Sequence, residues 1–179
     1  MTSPWLFTGL VLLVGLERIA ELVVSKRHAA WAFSSGGVER GQSHYPVMVV
    51  LHTGLLVGAV AEVWAAGRPF VPALGWAMLA LAVASQALRW WCIRTLGNQW
   101  NTRVIVVPGL SLVRSGPYRL LPHPNYVAVV VEGLALPLVH TAWVTAVVFT
   151  VANAVLLTVR VRVENAALRE IATSAEALA

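Results

Sequence analysis

The chain has 179 residues, 58% of them hydrophobic and only 12% charged, with a mean hydropathy of +0.73. A soluble domain normally carries about 25% charged residues, so half that share, joined to long apolar runs, argues against a water-soluble fold and for one domain dissolved in lipid. The net charge of +5 would suit nucleic acid, but no basic patch is interleaved with a soluble recognition motif, and in membrane proteins basic residues mark the cytoplasmic loops.

The first apolar stretch, 4–24, has no basic residues ahead of it and no small-residue cleavage site, so it is expected to be a retained helix and not a cleaved signal. Its second half carries Glu17, Arg18 and Glu21. Arg18 and Glu21 are three apart and share a helix face, which should look into the bundle or reach the interface because ionisable groups are costly at membrane depth. Residues 25–45 are polar, with Lys26, Arg27, Arg40 and a Ser34-Ser35-Gly36-Gly37 turn, and are expected to form a loop or interfacial segment. Pro46 opens a second span, 46–66, at a position where its missing N–H costs little. Gly67-Arg68-Pro69 breaks the chain before a third span, 72–93. Cys92, the sole cysteine, rules out an internal disulfide and a cysteine-built zinc site, and is expected to pack at the end of that helix.

The longest polar stretch, 94–123, carries Arg94, Arg103, Arg114 and Arg119 and is punctuated by Pro108-Gly109 and Ser115-Gly116-Pro117. Beyond it the chain is apolar for longer than one crossing needs. Pro137 and the His140-Thr141 break predict a helical hairpin, 124–139 and 141–162. The expected fold is therefore an all-α integral membrane bundle of about five transmembrane helices, one domain over 1–179, with a C-terminal hairpin. The basic residues concentrate in 25–45, 94–122 and the tail, which the positive-inside rule places in the cytoplasm with the N-terminus outside; a bacterial plasma membrane is the expected location. No internal repeat is evident, which disfavours an inverted-repeat transporter.

The residues with chemistry to offer lie around the hairpin. His123-Pro124-Asn125-Tyr126 stands at a helix entry, where free backbone N–H groups can receive an acceptor and where His123 and Tyr126, three apart, can line one wall. Alone, that tetrapeptide reads more readily as a simple helix cap. Arg160 and Glu164 are i,i+4 near the end of the last span; alone they could be a surface ion pair worth under about 1 kcal/mol. An antiparallel hairpin would bring the two groups together. His44 and His52 lie near one face of the second span, Glu62 lies deeper or near its opposite end, and Arg89, Glu132 and Asn153 are expected to face the bundle.

Taken in order, Leu112-Val113, Ser115-Gly116, Tyr118, His123-Pro124-Asn125-Tyr126, Arg160 and Glu164 resemble the C-terminal half of the isoprenylcysteine carboxyl methyltransferase family, over roughly 88–170. The resemblance implies that Leu110, Ser111, Leu112, Val113, Tyr118, His123, Pro124, Asn125 and Tyr126 enclose S-adenosylmethionine in a cytoplasmic pocket, with Arg160 and Glu164 as catalytic residues at its substrate-facing end. The family's Arg before His-Pro is Pro122 here, and Arg119 is the nearest substitute. The N-terminal half looks more like bacterial relatives acting on lipidic polyketides such as alkylpyrones and alkylresorcinols. The implied partners are a lipophilic small molecule or prenylated substrate and the bilayer, with no nucleic acid and no metal. Two other readings share these features: an NADPH-dependent enzyme resembling sterol reductases, which have a similar His-Pro-Asn-Tyr element, and a non-catalytic lipid-binding subunit.

Overall fold

The computed structural model describes residues 3–176; residues 1–2 and 177–179 of the expected unit lie outside them. Five helices form a bundle: α1 (Pro4–Ser34), α2 (His44–Ala65), α3 (Pro72–Leu96), α4 (Pro124–Leu138) and α5 (Trp143–Glu176). Among the described residues, α2, α3 and α5 are long and apolar enough to cross a bilayer. The outside of the molecule, not only its core, is apolar. Leu12, Leu13 and Leu16 of α1, Val50 and Val57 of α2, and Val147, Val151 and Val155 of α5 are all well exposed. A soluble protein rarely tolerates so large an apolar surface, whereas lipid solvates it.

Helix α1 differs from expectation. It does not stop near Val24 but continues to Ser34, so that its 31 residues span about 46 Å at ~1.5 Å per residue. That exceeds the ~30 Å hydrocarbon core of a bilayer. The segment that follows holds a short strand, β1 (Val38–Arg40), paired antiparallel with β2 (Val104–Val106) from the loop between α3 and α4. The register sets Val38 against Val106 and Arg40 against Val104.

Polar side chains tie α1 to α3 and α4 within the bundle. Arg18 bonds Glu21 and Glu17, each at 2.7 Å, reaches Gln86 of α3 at 2.7 Å and lies 3.2 Å from Glu132 of α4. Arg89 of α3 donates to Glu132 at 2.6 Å and sits 3.5 Å from Glu21. In a bundle surrounded by lipid, such pairing keeps each charge from facing hydrocarbon alone.

The hairpin turns where expected. Pro137 lies in the last turn of α4, the Ala142 N–H donates back to the Pro137 carbonyl at 3.0 Å, and Thr141 takes a left-handed φ of 54°. Its hydroxyl is secured on the Pro69 carbonyl at 2.7 Å. Glu62, which the sequence placed only vaguely, proves to cap α5 from the neighbouring α2. Its carboxylate accepts the N–H groups of Val144 (3.1 Å) and Thr145 (2.7 Å) and the Thr145 hydroxyl (2.8 Å), and pairs with Arg68 at 2.8 Å. A cap of this kind contributes about 1 kcal/mol and places negative charge at the positive end of the helix. Lower in the hairpin the Phe149 ring of α5 packs directly on Gly133 of α4, where any Cβ would run into it.

Candidate active site

The end of the bundle away from the Glu62 cap is closed by the α3–α4 loop. Gly97 ends α3 with a φ of 53°, and the chain passes through β2 to a short 3₁₀ turn, Gly116–Arg119. Gly116 has a φ of 54°, and any side chain there would press on Thr95 and Trp91. This turn carries Tyr118 to the end of α3, where its hydroxyl adjoins the buried Cys92 thiol. Burial first, and the adjoining Cys92 second, push the Tyr118 phenol above its ordinary range, so it serves as a neutral hydroxyl.

Helix α4 then begins at Pro124, with the His123 carbonyl accepting from the Tyr126 N–H at 3.1 Å. The His123 and Tyr126 rings stack, centroids 5.4 Å apart and planes 26° from parallel. Because α5 returns antiparallel, its end meets this point. The Tyr126 hydroxyl donates to Glu164 and accepts from Arg160 Nε at 3.0 Å, so one phenol links the two α5 residues. His123 Nε2 bonds Asn165 at 3.2 Å, and its Nδ1 lies 3.7 Å from Glu164. Arg160, buried, donates a further bond to the Thr102 carbonyl at 2.5 Å and one to Met48 Sδ at 2.9 Å.

These groups border a cavity of about 870 Å³. Leu110, Ser111, Leu112, Val113, Tyr118, His123, Asn125, Tyr126, Arg160 and Glu164 all lie on its wall. Pro124 does not; it is fully buried behind the wall, where its ring starts the helix. Arg119 and Pro122 also face the cavity, so an arginine is present near the position where the resemblance expected one. The Asn125 amide oxygen is buried with no hydrogen-bond partner among the described residues, an acceptor in want of a donor. A second, apolar groove of about 580 Å³ runs along the outside of the hairpin, lined by Val127, Val130, Val131, Leu157 and Val161, and it shares His123 and Tyr126 with the cavity.

The histidines of α2 divide. His44 is buried at the start of the helix and lies within the field of Arg160. His52 sits deeper, its Nδ1–H donating to the Met48 carbonyl at 2.8 Å and its ring edge-on to Phe149, which is the bonding of a packing residue. Thr102, Met48 and Asn165 also belong to this network, although the sequence assigned them no role. Only Asn165 had a local signal, its place beside Glu164; the other two reach the site by pairings distant in the chain.

The chain is similar to known proteins along most of its length. A relative from Bacillus subtilis, the uncharacterized protein YpbQ, is 38% identical over 92% of this chain and 98% of its own length. An uncharacterized protein of Haemophilus influenzae is 25% identical over 84% of this chain and 88% of its own. Residues 78–170, which hold most of α3, the loop, the hairpin turn, Arg160 and Glu164, match the pattern of the isoprenylcysteine carboxyl methyltransferase family. The chain therefore belongs to that family, and through it to the membrane methyltransferases.

Proposed function

We propose that the protein transfers a methyl group from S-adenosylmethionine to an oxygen of a lipophilic acceptor, in the first place a phenol or pyrone hydroxyl of polyketide type and in the second an isoprenylcysteine-type carboxylate. The observation that carries this reading is the junction at His123 and Tyr126 of a large polar-edged cavity with an apolar groove on the hairpin's outer face. A water-borne cofactor and a lipid-borne acceptor need such a meeting point. The concentration of basic residues at this end supports a cytoplasmic cofactor mouth and an outer N-terminus.

The residues present fit the cofactor. The cavity is within the ~300–1,000 Å³ of small-molecule sites, and its wall offers apolar faces at Leu110, Leu112 and Val113, the neutral hydroxyl of Tyr118 and the unpartnered Asn125 oxygen. When bound, S-adenosylmethionine supplies an electrophilic methyl on a sulfonium. Arg160 uses three of its five N–H groups on Tyr126, Thr102 and Met48, which leaves two to hold an anionic acceptor oxygen. Glu164 keeps Tyr126 and His123 in place and can take a proton from a less acidic hydroxyl. The apolar walls exclude water and align what they hold.

The test is incubation of detergent-purified protein with methyl-labelled S-adenosylmethionine and a membrane lipid extract, read by mass spectrometry. The expected result is label in a lipid methyl ether or methyl ester. Label on an amine lipid would overturn the acceptor assignment, and no enzyme-dependent label in any lipid would overturn the activity.

A further inference from the structure

The family pattern begins at residue 78, yet α1 reaches the cavity. Trp31 and Ala32 are part of its wall, and two residues one and two turns earlier, His28 and Ser25, hold the loop that closes it. Ser25 is buried at 4% exposure. A serine inside a helix commonly bonds its own backbone; this one spends its hydroxyl on the loop. It donates to Asn101 Oδ1 at 2.9 Å, accepts from the Thr102 N–H at 3.1 Å and lies 2.7 Å from the Thr102 hydroxyl. One donor and two acceptors are all a serine has. Asn101 answers by donating to the Ser25 carbonyl at 3.1 Å and accepting from the Arg103 N–H at 2.9 Å. His28 adds a bond from its Nδ1–H to the Trp100 carbonyl at 2.8 Å. Thr102, fixed in this way through its N–H and hydroxyl, presents its carbonyl to Arg160.

We propose that Ser25 is a positioning residue for methyl transfer: by fixing Thr102 it sets the Arg160 guanidinium, from a helix outside the segment that defines the family. The inference rests on the function proposed above. Ser25 touches neither cofactor nor acceptor and works through two bonded steps. Small misplacements of an aligning group can cost as much as ~10²-fold in rate, so the effect falls on turnover. Leu110, Leu112, Val113 and Tyr118, the walls assigned to the cofactor, are not part of the chain of bonds.

The experiment compares Ser25→Ala, Ser25→Cys and Thr102→Val with wild type in the labelled-methyl assay, measuring kcat and the KM for S-adenosylmethionine separately. Ser25→Ala is expected to lower kcat by about tenfold or more with little change in that KM. Cysteine keeps the shape and bonds weakly, so Ser25→Cys should fall between alanine and wild type, whereas a residue needed only for packing would leave it at wild-type kcat. Should Ser25→Ala fail to fold, Thr102→Val removes one of the same bonds from the loop side and should lower kcat in the same sense. Wild-type kcat in the cysteine and valine variants overturns the inference while leaving the function standing. A wild-type protein that transfers no methyl overturns the function, and this inference with it.

Discussion

Glu164→Gln is expected to lower kcat by roughly 10²-fold or more, the range of a lost general base or charged orienting group, while the helical content and thermal transition stay at wild-type values. The substitution keeps the shape and leaves an oxygen to accept from Tyr126, so packing at the hairpin end should survive. What goes is the negative charge that the Tyr126 hydroxyl joins to Arg160 and that faces His123 Nδ1 at 3.7 Å. Arg160 would then hold an acceptor anion with no counter-charge beside it, and a neutral hydroxyl acceptor would have no carboxylate to receive its proton. Single-turnover measurement at saturating substrate separates this from weakened binding. Wild-type turnover in the glutamine variant would remove Glu164 from the mechanism.

The largest stability effect is expected at Glu132. Glu132→Ala should cost about 3–5 kcal/mol, the penalty for stranding a buried charge by removing its partner. The carboxylate lies on α4 between Arg89, which is buried, at 2.6 Å and Arg18, which is partly buried, at 3.2 Å. Glu21 alone remains to serve Arg89, and Glu17 and Glu21 to serve Arg18, so α1 should loosen from α3 and α4. Thermal unfolding in detergent, followed by far-ultraviolet circular dichroism, gives the shift. An apolar replacement of both partners, Arg89→Met with Glu132→Leu, should recover much of the loss, because a well-packed apolar pair is often as stable as a buried ionic one. A Glu132→Ala transition within about 0.5 kcal/mol of wild type, the scale of an ordinary surface change, would show that the ion pairs do not hold the bundle.

Much of this was legible in the sequence because its signals are local. Hydropathy marks the helices, Pro46, Pro124 and Pro137 punctuate them, and the spacing of Arg18 to Glu21 predicts the 2.7 Å pair that forms. The His123-to-Tyr126 element and the Arg160-to-Glu164 pair are each compact, and the hairpin that unites them follows from an apolar run too long for one crossing. What escaped depends on distant partners. Residues 25–34 look like a polar loop because their charges face outward, yet Ser25 and His28 on the other face bond a loop far along the chain. Strand β1 has three residues and exists only because β2 pairs with it. Glu62 carries no local sign of capping a helix that starts at Trp143. The role of Thr102 is likewise invisible, since the group that meets Arg160 is a backbone carbonyl.

Methyl transfer at this site requires one cavity to bind one cofactor, and calorimetric titration of S-adenosylmethionine into the detergent-purified protein tests this most directly. Saturable one-to-one binding is predicted, markedly weakened by Leu112→Asp and Asn125→Leu on the cavity wall and unaltered by Trp143→Phe at the far end of the hairpin. No saturable heat, or equal affinity in all four proteins, would contradict it.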